Sequence, residues 1–436
     1  MSITFDEGKT AVSMTTRRTR WLGGLAAGVL LASALAGCAE EGSGAQAKGD
    51  GIDFGATKDE YAKAFEDIKP ITITAQSPSP KGSLTGAKFE GYMQAVEEWS
   101  DGKITFDIAY SNAIAPPTEV DDALRDGRLD MGSVVATYEP QEYPANSLLA
   151  DVTFAGSQGA FVGLLESNTW WLDVAYQTNE IFDELADNGV KVVMPAFNSG
   201  LIALNCAEAI TSLDDFDGAQ IINGTAAQGK VLKSLGATPI SMAYPEIYES
   251  LQRGVADCSM NSLLVSQLGG FGGEVPHATI DSSAGFGSGP GSLAFSQAAW
   301  DSYPLVVQQL LFDRLDAFMV SNYESVWQVI SEVTTAYTEA GGGVSEYEDD
   351  AREAIAKLNA DRLEELRGTD AVDDGDAFID AVESSIEKWD STITGELGYE
   401  EVAYDDFADF YASGDVDLQP LIDVVFEEIL LPHRPA

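Results

Sequence analysis

Two histidines, His277 and His433, and three cysteines, Cys38, Cys206 and Cys258, are the whole supply of imidazole and thiol in 436 residues. A serine or cysteine nucleophile needs a base beside it, and a zinc site needs closely spaced His and Cys. Neither pattern is present, and no GxSxG, HExxH or Walker sequence occurs. The glycine-rich stretches 269–273 and 285–289 lack the strand, GxGxxG and helix of a dinucleotide site, so they read as flexible connections. Carboxylate is what the chain has in excess, with Asp plus Glu 71 against Lys plus Arg 24 and a net charge of −47. Nucleic acid is repelled by such a surface. Two carboxylates facing a cleft about 5 to 9.5 Å apart could serve a secreted hydrolase, but the sequence singles out no such pair. No enzyme class finds its residues in this supply, so neither an enzyme nor a cofactor nor a metal is expected.

The N-terminus carries an address. Arg17, Arg18 and Arg20 precede an apolar run at 22–37, whose 16 residues fall short of the ~20 that cross a bilayer as a helix. This order of charge, apolar run and small residues is that of an export signal. The run ends in Leu35-Ala36-Gly37-Cys38, which resembles the bacterial lipobox and implies a signal peptide at 1–37 and lipid on Cys38. Met14 is an alternative start, and the paired arginines faintly resemble a twin-arginine signal. Residues 38–69 read as a tether, polar and rich in Gly and Ala at their start, so the mature body is expected outside the cytoplasm, lipid-anchored to the membrane. In an oxidising compartment Cys206 and Cys258 invite pairing, with two small buried thiols as the alternative.

The body alternates two periods. Ile71-Thr72-Ile73-Thr74 is strand-like. Ser77-Pro78-Ser79-Pro80 turns the chain into a helix with Phe89, Met93, Val96 and Trp99 on one face, and 104–108 starts another strand. A helix at 119–126 and a strand at 129–135 follow. A second strand-rich unit takes 201–204, 219–222 and 255–260, with helices at 228–235 and 246–253. Beyond Asp301 the pattern is nearly all helical, and the acidic C-terminal segment reads as surface helices on the second unit. The fold class is α/β with mostly parallel sheets.

Three stretches resemble the solute-binding proteins of tripartite ATP-independent periplasmic (TRAP) transporters, the DctP family. They are 96–104 with 119–131, then Asp215-Phe216-Asp217-Gly218-Ala219-Gln220-Ile221, then Leu235-Gly236-Ala237-Thr238-Pro239 through Pro245 to Asp257. The resemblance implies a two-lobe periplasmic-binding-protein-like fold with a hinge, a long connecting helix and extra C-terminal helices. Lobe I would take 70–199 plus 287–326, and lobe II 200–286 plus 327–436. It implies a small organic solute bound between the lobes and, as partners, the integral membrane permease subunits of a TRAP transporter. A receptor for an ABC permease or a sensor is the alternative within binding.

The family grips a ligand carboxylate with an arginine at the end of the segment 215–223, and here that position is Ile222. Gln220 stands in place of a preceding lysine, and another common cationic position falls on Leu201 or Ile202. Without a cation a buried carboxylate loses hydration uncompensated, so the expected solute is neutral or apolar, the alternatives being a metal ion that bridges a carboxylate to protein oxygens or an arginine that arrives from another loop. The expected contacts are Asn261, which matches a ligand-binding asparagine of the family, with Ile222, Asn223, Thr225, Tyr244 and Asn198. Gln76 and Tyr138 join them because they follow strand ends, and Trp170 is a candidate stacking platform with core packing as the alternative.

Overall fold

A computed structural model describes residues 49–436 apart from 405 and 415. The export signal expected at 1–37 and Cys38, the residue expected to carry lipid, lie outside the described residues. Between 49 and 69 the chain is more than a tether. Helix Lys58–Ala64 starts at a reciprocal cap between Thr57 and Glu60 and buries Tyr61, with Phe65 buried just beyond. Two aromatics four residues apart, following a capping box, form an amphipathic turn that docks on the body. The Tyr61 hydroxyl donates to Asp313 at 2.5 Å, and Arg434 at the far end of the chain closes on the same carboxylate at 2.7 Å.

Two sheets organise the body. The first has the order β2-β1-β3-β10-β4, from β1 (Ile71–Gln76), β2 (Ile104–Ala109), β3 (Met131–Gly132), β4 (Val190–Phe197) and β10 (Gly291–Ser296). The second has the order β11-β9-β5-β8-β6-β7. It takes β5 (Ile202–Cys206), β6 (Gln220–Asn223), β7 (Thr238–Ser241), β8 (Cys258–Ser262), β9 (His277–Thr279) and β11 (Gly343–Ser345). Strand pairs joined by helical crossovers, such as β1 with β2 and β6 with β7, are parallel. The expectation of mostly parallel sheets needs correcting at the strands that carry the chain between sheets. β5 runs antiparallel to β8 and β9, and β10 antiparallel to β3 and β4, so both sheets are mixed. The reason is topological: each of these strands enters from the other sheet and not through a βαβ crossover.

Three segments link the sheets. Residues 198–201 pass from β4 to β5 and residues 280–290 return from β9 to β10. The third is the helix Leu315–Glu339, 25 residues long. Its first half packs on helix Ala87–Trp99, and near its end the Tyr337 hydroxyl reaches Ser266 at 2.6 Å and Asn205 at 3.1 Å in the second unit. One continuous helix therefore serves both sheets.

Of the C-terminal helices expected on the second unit, the first packs there and the later ones do not. Helix Asp349–Leu366 begins there, with Ala351 and Ile355 in the second core and Arg352 paired to Asp281 at 2.8 Å. It then leaves, and Arg362 meets Asp151 of the first unit at 2.7 Å. Helix Gly375–Asp390 and the segments after it pack on helix Val162–Gln177. That helix is buried from Val162 to Tyr176, its polar residues Glu166 to Thr169 and Asp173 included, so it is covered on every side and its polar groups need partners. Trp389 donates its indole N–H to Asp173 at 2.8 Å, and the Glu401 carboxylate accepts from the Phe161 and Gly163 amides at 2.9 and 3.0 Å, capping the helix start. Local periodicity identifies helices here, but the choice of the surface they cover is a long-range one.

Candidate functional site

Strand ends from both sheets converge on one cavity of about 160 Å³. From the first sheet come Gln76 at the end of β1, Ser133 to Tyr138 after β3, Phe197 at the end of β4 and the first turn of helix Ala87–Trp99. From the second come Ile202, Thr225 after β6, Tyr244 after β7, and Asn261 and Ser262 at the end of β8. Carboxyl ends of parallel strands leave backbone groups and loop side chains free to face a ligand, which is why sites form there.

Tyr244 ties the two halves together. Asn112 donates a short hydrogen bond to its hydroxyl, and its backbone N–H bonds to the Tyr138 hydroxyl. Asn112 and its neighbour Ser111 take left-handed backbone with φ of 54° and 56°, a conformation that non-glycine residues hold only where their surroundings enforce it. Burial raises the pKa of both tyrosines, Tyr138 to about 12, so each presents a neutral hydroxyl. Gln228 adds a further link, its amide donating to the Gly287 carbonyl at 2.7 Å on the return segment.

The structure sorts the sequence candidates. Asn261, Thr225, Tyr244, Gln76 and Tyr138 line the cavity. Gln76 is committed to the protein, however: its carbonyl accepts from the Ile114 and Ala115 amides at 2.9 Å each and its amide donates to the Ala115 carbonyl at 2.8 Å, so it shapes the loop after β2. Thr225 caps helix Ala226–Ser234 through the Gln228 amide at 3.1 Å. Four candidates lie elsewhere. Ile222 is fully buried among Ile247, Leu251 and Phe271, because strand alternation turns it to the core face. Asn223 turns back to the Thr225 carbonyl at 2.8 Å. Trp170 is core, stacked edge-on with Trp171. Asn198 sits at the crossing, donating to Ser167 at 2.8 Å and accepting from the Gly200 amide at 3.0 Å, so it shapes the link between the sheets. Cys206 and Cys258 face each other across β5 and β8 and are disulfide-bonded, S–S 2.05 Å.

One cavity residue overturns an expectation. Lys88 lines the cavity from the first turn of helix Ala87–Trp99, 3% exposed, and its ammonium has no hydrogen-bond partner among the described residues. Burial lowers its pKa to about 7. Its Nζ lies 5.4 Å from the centre of the Phe197 ring and 5.9 Å from that of Phe89, within range of a cation–π attraction. A side chain at Gly291 would collide with the Phe197 ring, so glycine there keeps that wall in place. Among the described residues the cavity lining includes no Arg, His, Asp or Glu. A cleft without a cation, the premise for a neutral solute, is not what the fold builds, because Lys88 stands in its wall. The signal was in the sequence: Lys88 stands four residues before Tyr92 and eight before Val96, in register with the buried stripe of its own helix.

Residues 75–367 match the model of a family described as bacterial extracellular solute-binding protein, family 7. A solute-binding protein of Albidiferax ferrireducens is 22% identical over 206 residues, 46% of this chain and 58% of that protein. The ectoine-binding periplasmic protein TeaA of Halomonas elongata is 28% identical over 149 residues, 34% of this chain and 42% of TeaA. The matched region thus spans about half the length of these relatives. Among solved structures, a TRAP solute-binding protein from an unidentified marine microbe, specific for aromatic acids and bound to 3-hydroxybenzoate, superposes with a TM-score of 0.62. The two share 20% identity over 74% of this chain and 99% of that one. Among the described residues no helix is long and apolar enough to cross a membrane.

Proposed function

The chain belongs to family 7 of the bacterial extracellular solute-binding proteins, the DctP family, and on that footing we propose that it is the receptor of a TRAP-type transporter. It takes a small organic solute into the cleft between its two sheets and hands it to integral membrane permease subunits, from a position outside the cytoplasm where lipid on Cys38 holds it to the membrane. The observation that carries this reading is the composition of the cavity wall, which draws strand ends from both sheets and is bridged at Tyr244. Only with the halves together do all these groups reach one ligand, so ligand binding favours the closed arrangement. Segments 198–201 and 280–290 and the helix Leu315–Glu339 are the elements about which closure would turn.

Phe89, Phe197, Val135, Ile202, Leu264 and Leu268 give the wall an apolar character, in keeping with a relative that binds aromatic acids. A hydrolase reading needs two facing carboxylates, and the described lining residues include none.

The test is a thermal-shift screen of the purified protein against small organic acids, amides and zwitterions, with native mass spectrometry for a co-purified solute. A ligand at 100 times its Kd stabilises the folded state by about 2.7 kcal/mol, a rise of a few degrees. Small-angle scattering should then show a smaller radius of gyration. If no member of the panel shifts the transition and no small molecule co-purifies, the receptor reading fails.

A further inference from the structure

In a chain that carries 71 acidic side chains, the described lining of the cleft has no carboxylate and one ammonium, that of Lys88. The ammonium is buried and has no hydrogen-bond partner among the described residues. A leucine or methionine would fill the same space without desolvating a charge, and a structural lysine would find a carbonyl or carboxylate. An unsatisfied donor at the wall of a ligand cavity is a group held ready for an acceptor that arrives with the ligand.

Resting on the receptor reading, we propose that Lys88 is the recognition group of the cleft and receives the single carboxylate of a ring-sized monocarboxylic acid. Three observations shape that class. First, with one cation and no second among the described lining residues, a second carboxylate on the solute would be buried uncompensated, so dicarboxylates are excluded. Second, a cavity of about 160 Å³ compares with the roughly 150 Å³ of an engineered protein cavity that holds benzene, so one small ring fits and a fused or long-chain body does not. Third, Phe89 and Phe197 flank the ammonium, which sets an apolar face beside the charge. Tyr138, Tyr244 and Asn261 also line the cavity and offer polar groups to a hydroxyl or keto substituent.

The experiment is calorimetric titration with acid and amide pairs, benzoate with benzamide and pyroglutamate with its primary amide, on the wild type, Lys88→Met and Lys88→Arg. The wild type is expected to prefer at least one acid over its amide by about 10- to 100-fold, the span of a charge-assisted hydrogen bond. Lys88→Met should lose that preference while keeping its affinity for the amide, and Lys88→Arg should restore part of it. A lysine that merely braces the helix would change both affinities together. Equal binding of acid and amide by the wild type, which requires no variant to fold, overturns the proposal. So does an acid affinity unchanged in Lys88→Met, or a neutral solute bound when no acid is. In each of these cases the receptor reading survives. Absence of any bound solute, added or co-purified, overturns both.

Discussion

Replacing Lys88 by methionine is expected to stabilise the ligand-free protein at neutral pH. Burial lowers the pKa of the ammonium from 10.5 to about 7, whereas the unfolded chain keeps its proton up to about the ordinary lysine value. Between those two values the unfolded state binds more protons than the folded one, so the stability of the wild type rises with pH through that window. At about 1.36 kcal/mol for each tenfold change in protonation constant, the penalty at pH 7 is on the order of 4 kcal/mol and has nearly vanished by pH 10.5. Methionine fills much of the space of the lysine stem without the charge. Paired urea unfolding of wild type and Lys88→Met at pH 7, 8.5 and 10 should therefore give a variant that is more stable by about 2 to 4 kcal/mol at pH 7. The advantage should shrink to below about 1 kcal/mol at pH 10. Taking the difference between the two proteins cancels the tyrosines and acids they share. A difference that stays flat with pH, or a variant less stable at pH 7, would show that the ammonium is solvated or paired in the folded state and would remove the physical basis of its role in the cleft.

Two further expectations concern the scaffold. The Cys206–Cys258 disulfide closes a sequence separation of 52 residues, for which the chain-entropy treatment assigns about 4 kcal/mol. The double serine variant should lose stability of that order in urea unfolding, and a loss below about 1 kcal/mol would show that the bond adds little to the strand pairing around it. Burial, with Asp390 and Glu401 nearby, raises the Glu166 pKa to about 8. The folded state then holds more protons than the unfolded one between 4.5 and 8, and stability falls as pH rises through that range. Glu166→Gln should gain about 2 to 4 kcal/mol at pH 8 and little at pH 4; an equal effect at both would contradict the assigned burial.

Elements defined by near neighbours in the chain were legible before any coordinates. The Ile71-Thr72-Ile73-Thr74 alternation became β1, the Phe89, Met93, Val96 stripe became helix Ala87–Trp99, and the segment 219–222 falls at β6 within a residue. Other elements had weaker signals. Only Met131 and Gly132 of the stretch 129–135 are strand, because pairing partners and not propensity decide how far a strand runs. The helix Val162–Gln177 buries polar and apolar residues alike and has no clear amphipathic stripe to announce it. Of the site, residues that follow strand ends could be placed by topology alone, as with Gln76 and Tyr138. Ile222 could not: a strand residue points to core or cleft according to register, and one step in register reverses the answer.

The amino-acid order alone determined the kind of molecule: an acidic α/β protein whose motifs carry its family and the two-lobe fold that goes with it, with Ile222 at the position where that resemblance leads one to expect an arginine. These are properties of residue type and short spacing, which act within a turn or two of chain. Tertiary structure decided what stands in the cleft instead. It brought helix Ala87–Trp99 to the mouth of β1, so that a lysine on the buried stripe lost its water and met the rings of Phe89 and Phe197. It also laid the C-terminal helices over helix Val162–Gln177 and joined Arg434 to Asp313. Desolvation of a charge depends on every surface that closes around it, and those surfaces here come from residues tens to hundreds of positions apart.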